Sequence, residues 1–195
     1  MNFKKNILPQ NGEVFYFPQL FNKEECRYLL NAFENEIIWK HETIKIFGKN
    51  ILQPRLTALY GYENKPYSYS GNTMIPIDFT PTLLMIKNRI ETIAKVNFTT
   101  VLLNNYRNGN DSMGWHSDNE KELGKNPIIA SVSFGAERMF KLKHKLNKDL
   151  KQHILLENGS LLLMQGETQH YWQHAIAKTT KPLNSRINLT FRVIV

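Results

Sequence analysis

Apolar positions change their period part-way along the chain. Cys26, Leu29, Leu30, Phe33 and Ile37 recur at helical spacing, which predicts a helix of roughly four turns facing a core. Asn22-Lys23-Glu24-Glu25 stands just before it as a capping box, with Asn22 as N-cap and Glu25 three residues on. A second helix is predicted from Thr80-Pro81, an N-cap followed by proline at the first helical position, and runs to near Asn97. Leu83, Leu84, Ile86, Ile90, Ile93 and Ala94 are its apolar positions. Between the two, residues 51–61 form a short strand segment that follows a Gly48-Lys49-Asn50 turn and ends at Gly61. From Phe98 onward the pattern becomes a series of short β runs, at 99–106, 128–134, 138–143, 153–156, 160–165, 171–176 and 187–195. Gly135, Asn158-Gly159 and Gly166 punctuate them. Such a succession predicts a sandwich or barrel.

The totals narrow the class. At 195 residues and 42% hydrophobic, the chain has the size of one domain with ample material for a core. No run is long and apolar enough to span a bilayer, and residues 1–9 lack the apolar centre of a signal peptide. The expectation is therefore a chain without a membrane partner. One cysteine, Cys26, excludes an internal disulfide framework and fits a reducing cytoplasm. A net charge of +8 favours a polyanionic partner such as nucleic acid. Residues 62–71 make a loop dense in tyrosine, including Tyr67 and Tyr69, which can stack on bases. Residues 141–151 are a basic hairpin-like insert; Arg138, Lys141, Lys143 and Lys145 are expected to track a phosphate backbone.

Candidate chemistry centres on residues 104–118, which leave an apolar strand, cross a polar Gly/Asn loop and end on His116-Ser117-Asp118. In extended backbone, residues two apart point the same way, so His116 and Asp118 can aim an imidazole and a carboxylate at one point. These are two members of the facial triad that holds non-haem iron, which needs a second histidine. His170 and His174 both offer one, and period alone does not choose between them. In the last strand Arg186, Asn188, Thr190 and Arg192 alternate strictly with Ile187, Leu189, Phe191 and Val193. Two arginines with Asn and Thr between them suit a small dianion, since a guanidinium fork bonds both oxygens of a carboxylate. Asn104 and Tyr106, two apart on their own strand, can add an amide and a phenol.

Taken in order, these motifs resemble the AlkB-type dioxygenases, which use Fe(II) and 2-oxoglutarate. The resemblance runs from about Pro54 to Val195 and is carried by Asn104-x-Tyr106, His116-Ser117-Asp118, residues 129–136 (Ile-Ala-Ser-Val-Ser-Phe-Gly-Ala), Trp172-Gln173-His174 and the Arg186 to Arg192 strand. The last of these and Ser-Phe-Gly-Ala are similar to the branch that repairs alkylated DNA, including its nuclear animal members. The resemblance implies His116, Asp118 and His174 as iron ligands, with His174 preferred to His170 by the family's Trp-x-His pattern. It implies Asn104, Tyr106, Arg186, Thr190 and Arg192 as the 2-oxoglutarate site, with Asn188 close by. It also implies an α+β, mainly β fold: a double-stranded β-helix, or jelly roll, with N-terminal helices and a nucleotide-recognition lid.

On this reading residues 1–195 are a single domain, with about 1–97 as helical support and lid and about 98–195 as the catalytic jelly roll. Tyr67 and Tyr69 would lie in the lid, Tyr69 where the family stacks an aromatic on the flipped base. Some members carry an acid directly after the Asp ligand, where it helps recognise a positively charged damaged base. This chain has Asn119 there and then Glu120, which is the candidate for that role. The implied function is oxidative demethylation of 1-methyladenine and 3-methylcytosine type lesions in DNA, or RNA, releasing formaldehyde. The alternatives are an Fe(II)/2-oxoglutarate hydroxylase of RNA, protein or a small molecule, and a non-catalytic nucleic-acid-binding barrel. A monomer in the cytoplasm, or the nucleus of a eukaryote, is the default expectation.

Overall fold

The computed structural model describes residues 5–46, 49–62, 67–69 and 72–195, with backbone alone at 45–46, 49, 67–69 and 72–74. In chain order its strands and helices are β1 (Glu13–Phe17), α1 (Lys23–Glu36), β2 (Thr43–Ile46), β3 (Lys49–Leu52), β4 (Leu56–Gly61), β5 (Tyr67–Tyr69), β6 (Asn72–Met74) and α2 (Pro81–Ala94). Then follow β7 (Thr100–Tyr106), β8 (Met113–His116), β9 (Ile129–Gly135), β10 (Arg138–His144), β11 (Lys151–Leu156), β12 (Ser160–Gln165), α3 (Thr168–Tyr171), β13 (Trp172–Ile176) and β14 (Arg186–Arg192). No helix among the described residues is long and apolar enough to cross a membrane.

Two antiparallel sheets face each other. The larger has the order β1-β12-β9-β14-β7-β4, the smaller β11-β10-β13-β8. Strands adjacent in space are mostly distant in sequence, which is the double-stranded β-helix expected from the motifs. The first half of the chain also enters this core, since β1 and β4 form the two edges of the larger sheet.

α1 begins as the sequence requires. The Asn22 side chain accepts from the Glu24 and Glu25 N–H groups, and Glu25 accepts from the Asn22 N–H. α2 starts at Pro81 behind the Thr80 cap and stops at Ala94, before the expected Asn97. Lys95 there turns left-handed (φ 57°), and its N–H bonds the Glu91 carbonyl, which ends the helix. The segment expected as one strand at 51–61 is divided at Pro54-Arg55, so β3 pairs with β2 while β4 joins the larger sheet. β1 and β8 were not apparent in the periodicity: both are short and lie at sheet edges, where the apolar alternation is weakest.

Helices α1 and α2 cover one face of the larger sheet. Leu29, Phe33, Leu83, Ile86 and Ile90 pack there against Val101, Leu103, Val132, Phe134, Ile187, Leu189 and Phe191. The second apolar cluster fills the space between the sheets, with Phe140, Leu142, Leu162, Met164, Trp172 and Ile176. Phe134 lies wholly buried at the centre of the helix-covered core, its ring 5.3 Å from Phe21 and 5.5 Å from Phe33. Phe134→Ala is expected to cost about 3–5 kcal/mol of unfolding free energy, read as a lower urea midpoint at an unchanged slope.

Candidate metal and dicarboxylate site

The site forms where the inner faces of the two sheets meet. β8 and β13 pair so that His116 and His174 are cross-strand partners, with a register break between His174 and Ile176. Cross-strand partners on one face lie about 5 Å apart, and here the two imidazole centroids are 4.2 Å apart, edge to face. Asp118 follows two residues after His116. Its Oδ1 lies 3.5 Å from His116 Nε2 and 4.0 Å from His174 Nε2. The three residues offer ligand atoms within 4.8 Å of one another.

Supporting contacts aim these groups. The His116 Nδ1–H donates to the Gly114 carbonyl at 2.9 Å, which leaves the Nε2 lone pair for a metal. His174 stacks on Phe140. The Ser117 hydroxyl donates to the Trp172 carbonyl at 2.8 Å, fastening the His-x-Asp segment to β13. Asp118 is 1% exposed and its Oδ2 accepts from Arg192 Nη2 at 2.7 Å. Oδ1 has no hydrogen-bond partner among the described residues. Burial alone would raise the Asp118 pKa, but the Arg192 guanidinium, then His116 and His174, hold the carboxyl well below the usual range. Burial, with His116 beside it, pushes the His174 imidazole down to about 3, so the ring is neutral and its lone pair available at physiological pH.

Beside the triad lies the polar row of β14. Arg186, Asn188, Thr190 and Arg192 line one cavity together with Asn104, Tyr106, His116, Asp118 and His174. Arg186 is 1% exposed; its Nη2 donates to Ser133 Oγ at 2.9 Å and its guanidinium lies 5.1 Å from the centre of the Tyr106 ring. Its Nε and Nη1 have no hydrogen-bond partner among the described residues. Burial lowers its pKa to about 10, which leaves it a cation at neutral pH. A buried cation with two unanswered donors is a socket for an anion, since each such donor otherwise costs about 1–3 kcal/mol. The donor set thus fits both groups: two imidazoles and a carboxylate for a divalent iron, and a guanidinium with a phenol and hydroxyl for a carboxylate.

Sequence comparison agrees with this geometry. Residues 13–192 match the model of the 2OG-Fe(II) oxygenase superfamily. The alpha-ketoglutarate-dependent dioxygenase alkB homolog 3 of Bos taurus is 42% identical over 192 residues, 94% of this chain and 66% of that relative. The chain therefore spans about two thirds of the length of that relative. The Bos taurus DNA oxidative demethylase ALKBH2 is 36% identical over 186 residues, 90% of this chain and 67% of its own length. The chain belongs to the AlkB-type 2OG-Fe(II) oxygenases. The solved structure of OsALKBH1 shares the fold, with a TM-score of 0.64 at 16% identity, over 92% of this chain and 97% of that one.

In agreement with the family's Trp-x-His pattern, the structure also separates His170 from His174. His170 lies on α3, exposed, with its Nε2 2.8 Å from Asn126 Oδ1, whereas His174 lies on β13 among the triad. Tyr67 and Tyr69 lie on β5, which pairs with β6, but their side chains fall outside the described residues. Glu120 is half-buried beside the triad; burial, then the Asp118 carboxylate, raises its pKa, and its Oε2 has no hydrogen-bond partner among the described residues.

Arg138, expected on the phosphate backbone, is instead buried. It donates to the carbonyls of Asn108, Asp111 and Ala177, tying the polar loop after β7 to the end of β13. Lys145 likewise donates to the Gln169 carbonyl at 2.9 Å. Two supporting residues, Arg55 and Gln169, escaped the sequence reading. Arg55 donates to Asn104 Oδ1 at 2.7 Å. The Gln169 side chain accepts the buried Asp118 N–H at 2.9 Å. Asn188 donates to Ser131 and Val132 and accepts from the Thr190 hydroxyl, so it orients Thr190. Arg55, a lone arginine entering an apolar run, carried a signal; Gln169, immediately before His170, carried none.

The neutral His174 gives a pH prediction for the metal-free protein. Its folded pKa lies below its unfolded value of about 6.5, so protons favour the unfolded chain as pH falls below that value. Unfolding free energy is expected to fall between about pH 6.5 and pH 3, by at most about 1.4 kcal/mol per pH unit from this group. Urea titration at several pH values reads it, and His174→Gln should flatten the upper part of that slope.

Proposed function

We propose that this AlkB-type chain is an Fe(II)- and 2-oxoglutarate-dependent oxidative demethylase of N-alkylated bases, with 1-methyladenine and 3-methylcytosine type lesions in DNA as substrates. The observation that carries it is the pairing of a His116–Asp118–His174 cluster with a buried, half-satisfied Arg186 in one cavity. The names of the relatives, a DNA oxidative demethylase and an alkB homolog, support the substrate class.

In this reading His116, Asp118 and His174 hold the iron. Arg186 takes one carboxylate of 2-oxoglutarate, with Asn104, Tyr106, Thr190 and Arg192 around the remainder. Iron, 2-oxoglutarate and dioxygen together supply hydroxylation of an N-methyl carbon, after which formaldehyde leaves and the unmethylated base remains. The protein's own part is orientation and exclusion of water. Arg192 keeps Asp118 anionic and leaves only Oδ1 turned toward the histidines. Leu102, Phe140, Met164 and Ile176 make the apolar wall of the cavity. A methyl on the pairing edge is out of reach inside a duplex, so the base must be flipped or single-stranded. Tyr67 and Tyr69 serve as the stacking groups and Glu120 as the acid that meets a cationic base. Residues 1–195 act as one dioxygenase domain, in which about 1–97 supply support and lid, together with the edge strands β1 and β4, to a catalytic core of about 98–195.

Mass spectrometry of methylated DNA, RNA and peptide substrates incubated with Fe(II) and 2-oxoglutarate tests this. Loss of one methyl from the oligonucleotides and not the peptide is expected, and absence of any iron-dependent succinate would overturn the reading. His116→Ala is expected to abolish turnover and the thermal stabilisation by added Mn(II). Arg186→Lys should raise the KM for 2-oxoglutarate roughly tenfold to a hundredfold, the worth of a forked bond of about 1.5–3 kcal/mol. Tyr69→Ala should slow repair while sparing succinate formation without substrate.

A further inference from the structure

The outward face of the smaller sheet has a composition that the catalytic site does not explain. Side chains alternate across a sheet, and the inward set here is Phe140, Leu142, Ile154, Trp172, His174 and Ile176. The outward set includes Lys141 and Lys143 on β10, Lys151 and His153 on β11, and Trp115 on β8. Lys143 stands directly opposite Lys151, and Lys141 directly opposite His153. The two lysines Lys143 and Lys151 are like charges placed directly opposite on one face, which destabilises a sheet. A carboxylate at either position would relieve this, and the chain has 17 acidic residues to draw on. No carboxylate occupies an outward position of these four strands, and none pairs with Lys141, Lys143 or Lys151 among the described residues.

The face also carries an aromatic at its end nearest the catalytic site. Trp115 precedes the triad residue His116 and is 43% exposed. Lys143 reaches across β13 and sets its Nζ 4.3 Å from the centre of the indole ring. A row of cations with an exposed ring at one end is the arrangement that binds a single strand without reading its sequence: phosphates meet the cations and a base meets the ring. From β11 to β8 the row crosses three strand spacings, about 14 Å, which a few nucleotides of an extended strand cover.

We propose that this outward face is a second nucleic-acid contact, a track for the single strand that flanks the target base. Lys141, Lys143 and Lys151 neutralise phosphates along it, and Trp115 stacks a base where the strand turns toward the catalytic cavity. The proposal rests on the nucleic-acid reading of the preceding subsection but not on which lesion is repaired.

Lys151→Glu tests it, because its two expected effects have opposite sign. The variant turns a like-charge pair into an opposite one, so its melting temperature is expected to rise or hold. Its affinity for an unmodified oligothymidine of about twenty nucleotides should fall about tenfold, and the slope of log Kd against log salt should drop by roughly 0.7 or more. Damage to the fold would lower both stability and binding together. Should that variant fail to fold, Lys141→Gln and Lys151→Gln read the same salt slope. In the wild type, oligothymidine should quench Trp115 fluorescence, and Trp115→Ala should bind the oligonucleotide several-fold more weakly. Unchanged affinity and salt slope in the lysine variants would overturn the proposal even if methylated bases are repaired. Binding to vesicles of anionic phospholipid, with none to oligothymidine, would also overturn it. Weakened oligothymidine binding without any demethylation would leave the track standing and remove the repair reading instead.

Discussion

Two charges withdrawn from water, the Asp118 carboxylate and the Arg192 guanidinium, tie the two sheets to each other. Asp118 lies just past the last strand of the smaller sheet, and Arg192 closes the central strand of the larger one. Burying such a pair is costly, and apolar residues of the same volume would often hold a fold as well. Its use here is directional. Arg192 occupies Oδ2 through two N–H groups, so only Oδ1 remains to face the histidines. Gln169 fixes the same residue from behind through its backbone N–H. The carboxylate is thus held by both ends before any ligand arrives, which is the preorganisation a metal centre needs.

The central strand β14 shows how the rest follows. All seven of its residues are buried, yet its two faces have different tasks. Ile187, Leu189 and Phe191 belong to the helix-covered core, while Arg186, Asn188, Thr190 and Arg192 face the cavity. A register slip of one residue would exchange the two sets and bury two guanidinium groups among Phe134 and Leu29. The register is therefore fixed from both sides at once. The same logic holds for the smaller sheet, where pairing His116 with His174 inside dictates that Trp115 and Lys143 lie outside.

How much of this could be read from the chain depends on how local each cause is. Helix starts were legible because a cap is a short-range event: Asn22 and Glu25 satisfy each other's backbone within four residues, and Pro81 declares its position alone. The β14 row was legible because alternation is a property of one strand. The place where α2 stops was not, since it turns on Lys95 adopting a left-handed backbone that its residue type does not announce. The choice between His170 and His174 was not legible from periodicity, because the two lie on different elements, a helical turn and a strand. Arg138 was misjudged for the same reason. Its charge suggested the surface, but three backbone carbonyls, from sequence-distant segments, converge on it only after folding.

What the sequence could least supply is the pattern of polar atoms left unanswered. In a pair built only for stability, every buried donor would meet an acceptor. Here Asp118 Oδ1 and Arg186 Nε and Nη1 carry opposite character, line one cavity and do not bond each other. Their strands prevent it: Arg186 stands at one end of the β14 row and the Arg192–Asp118 pair at the other. Neither end can relax toward its opposite without breaking the register that both cores enforce. The unsatisfied charge therefore persists as a fixed feature of the fold. A ligand that is anionic at one end and binds a metal at the other answers both ends at once, and that demand comes from the strand pairing itself.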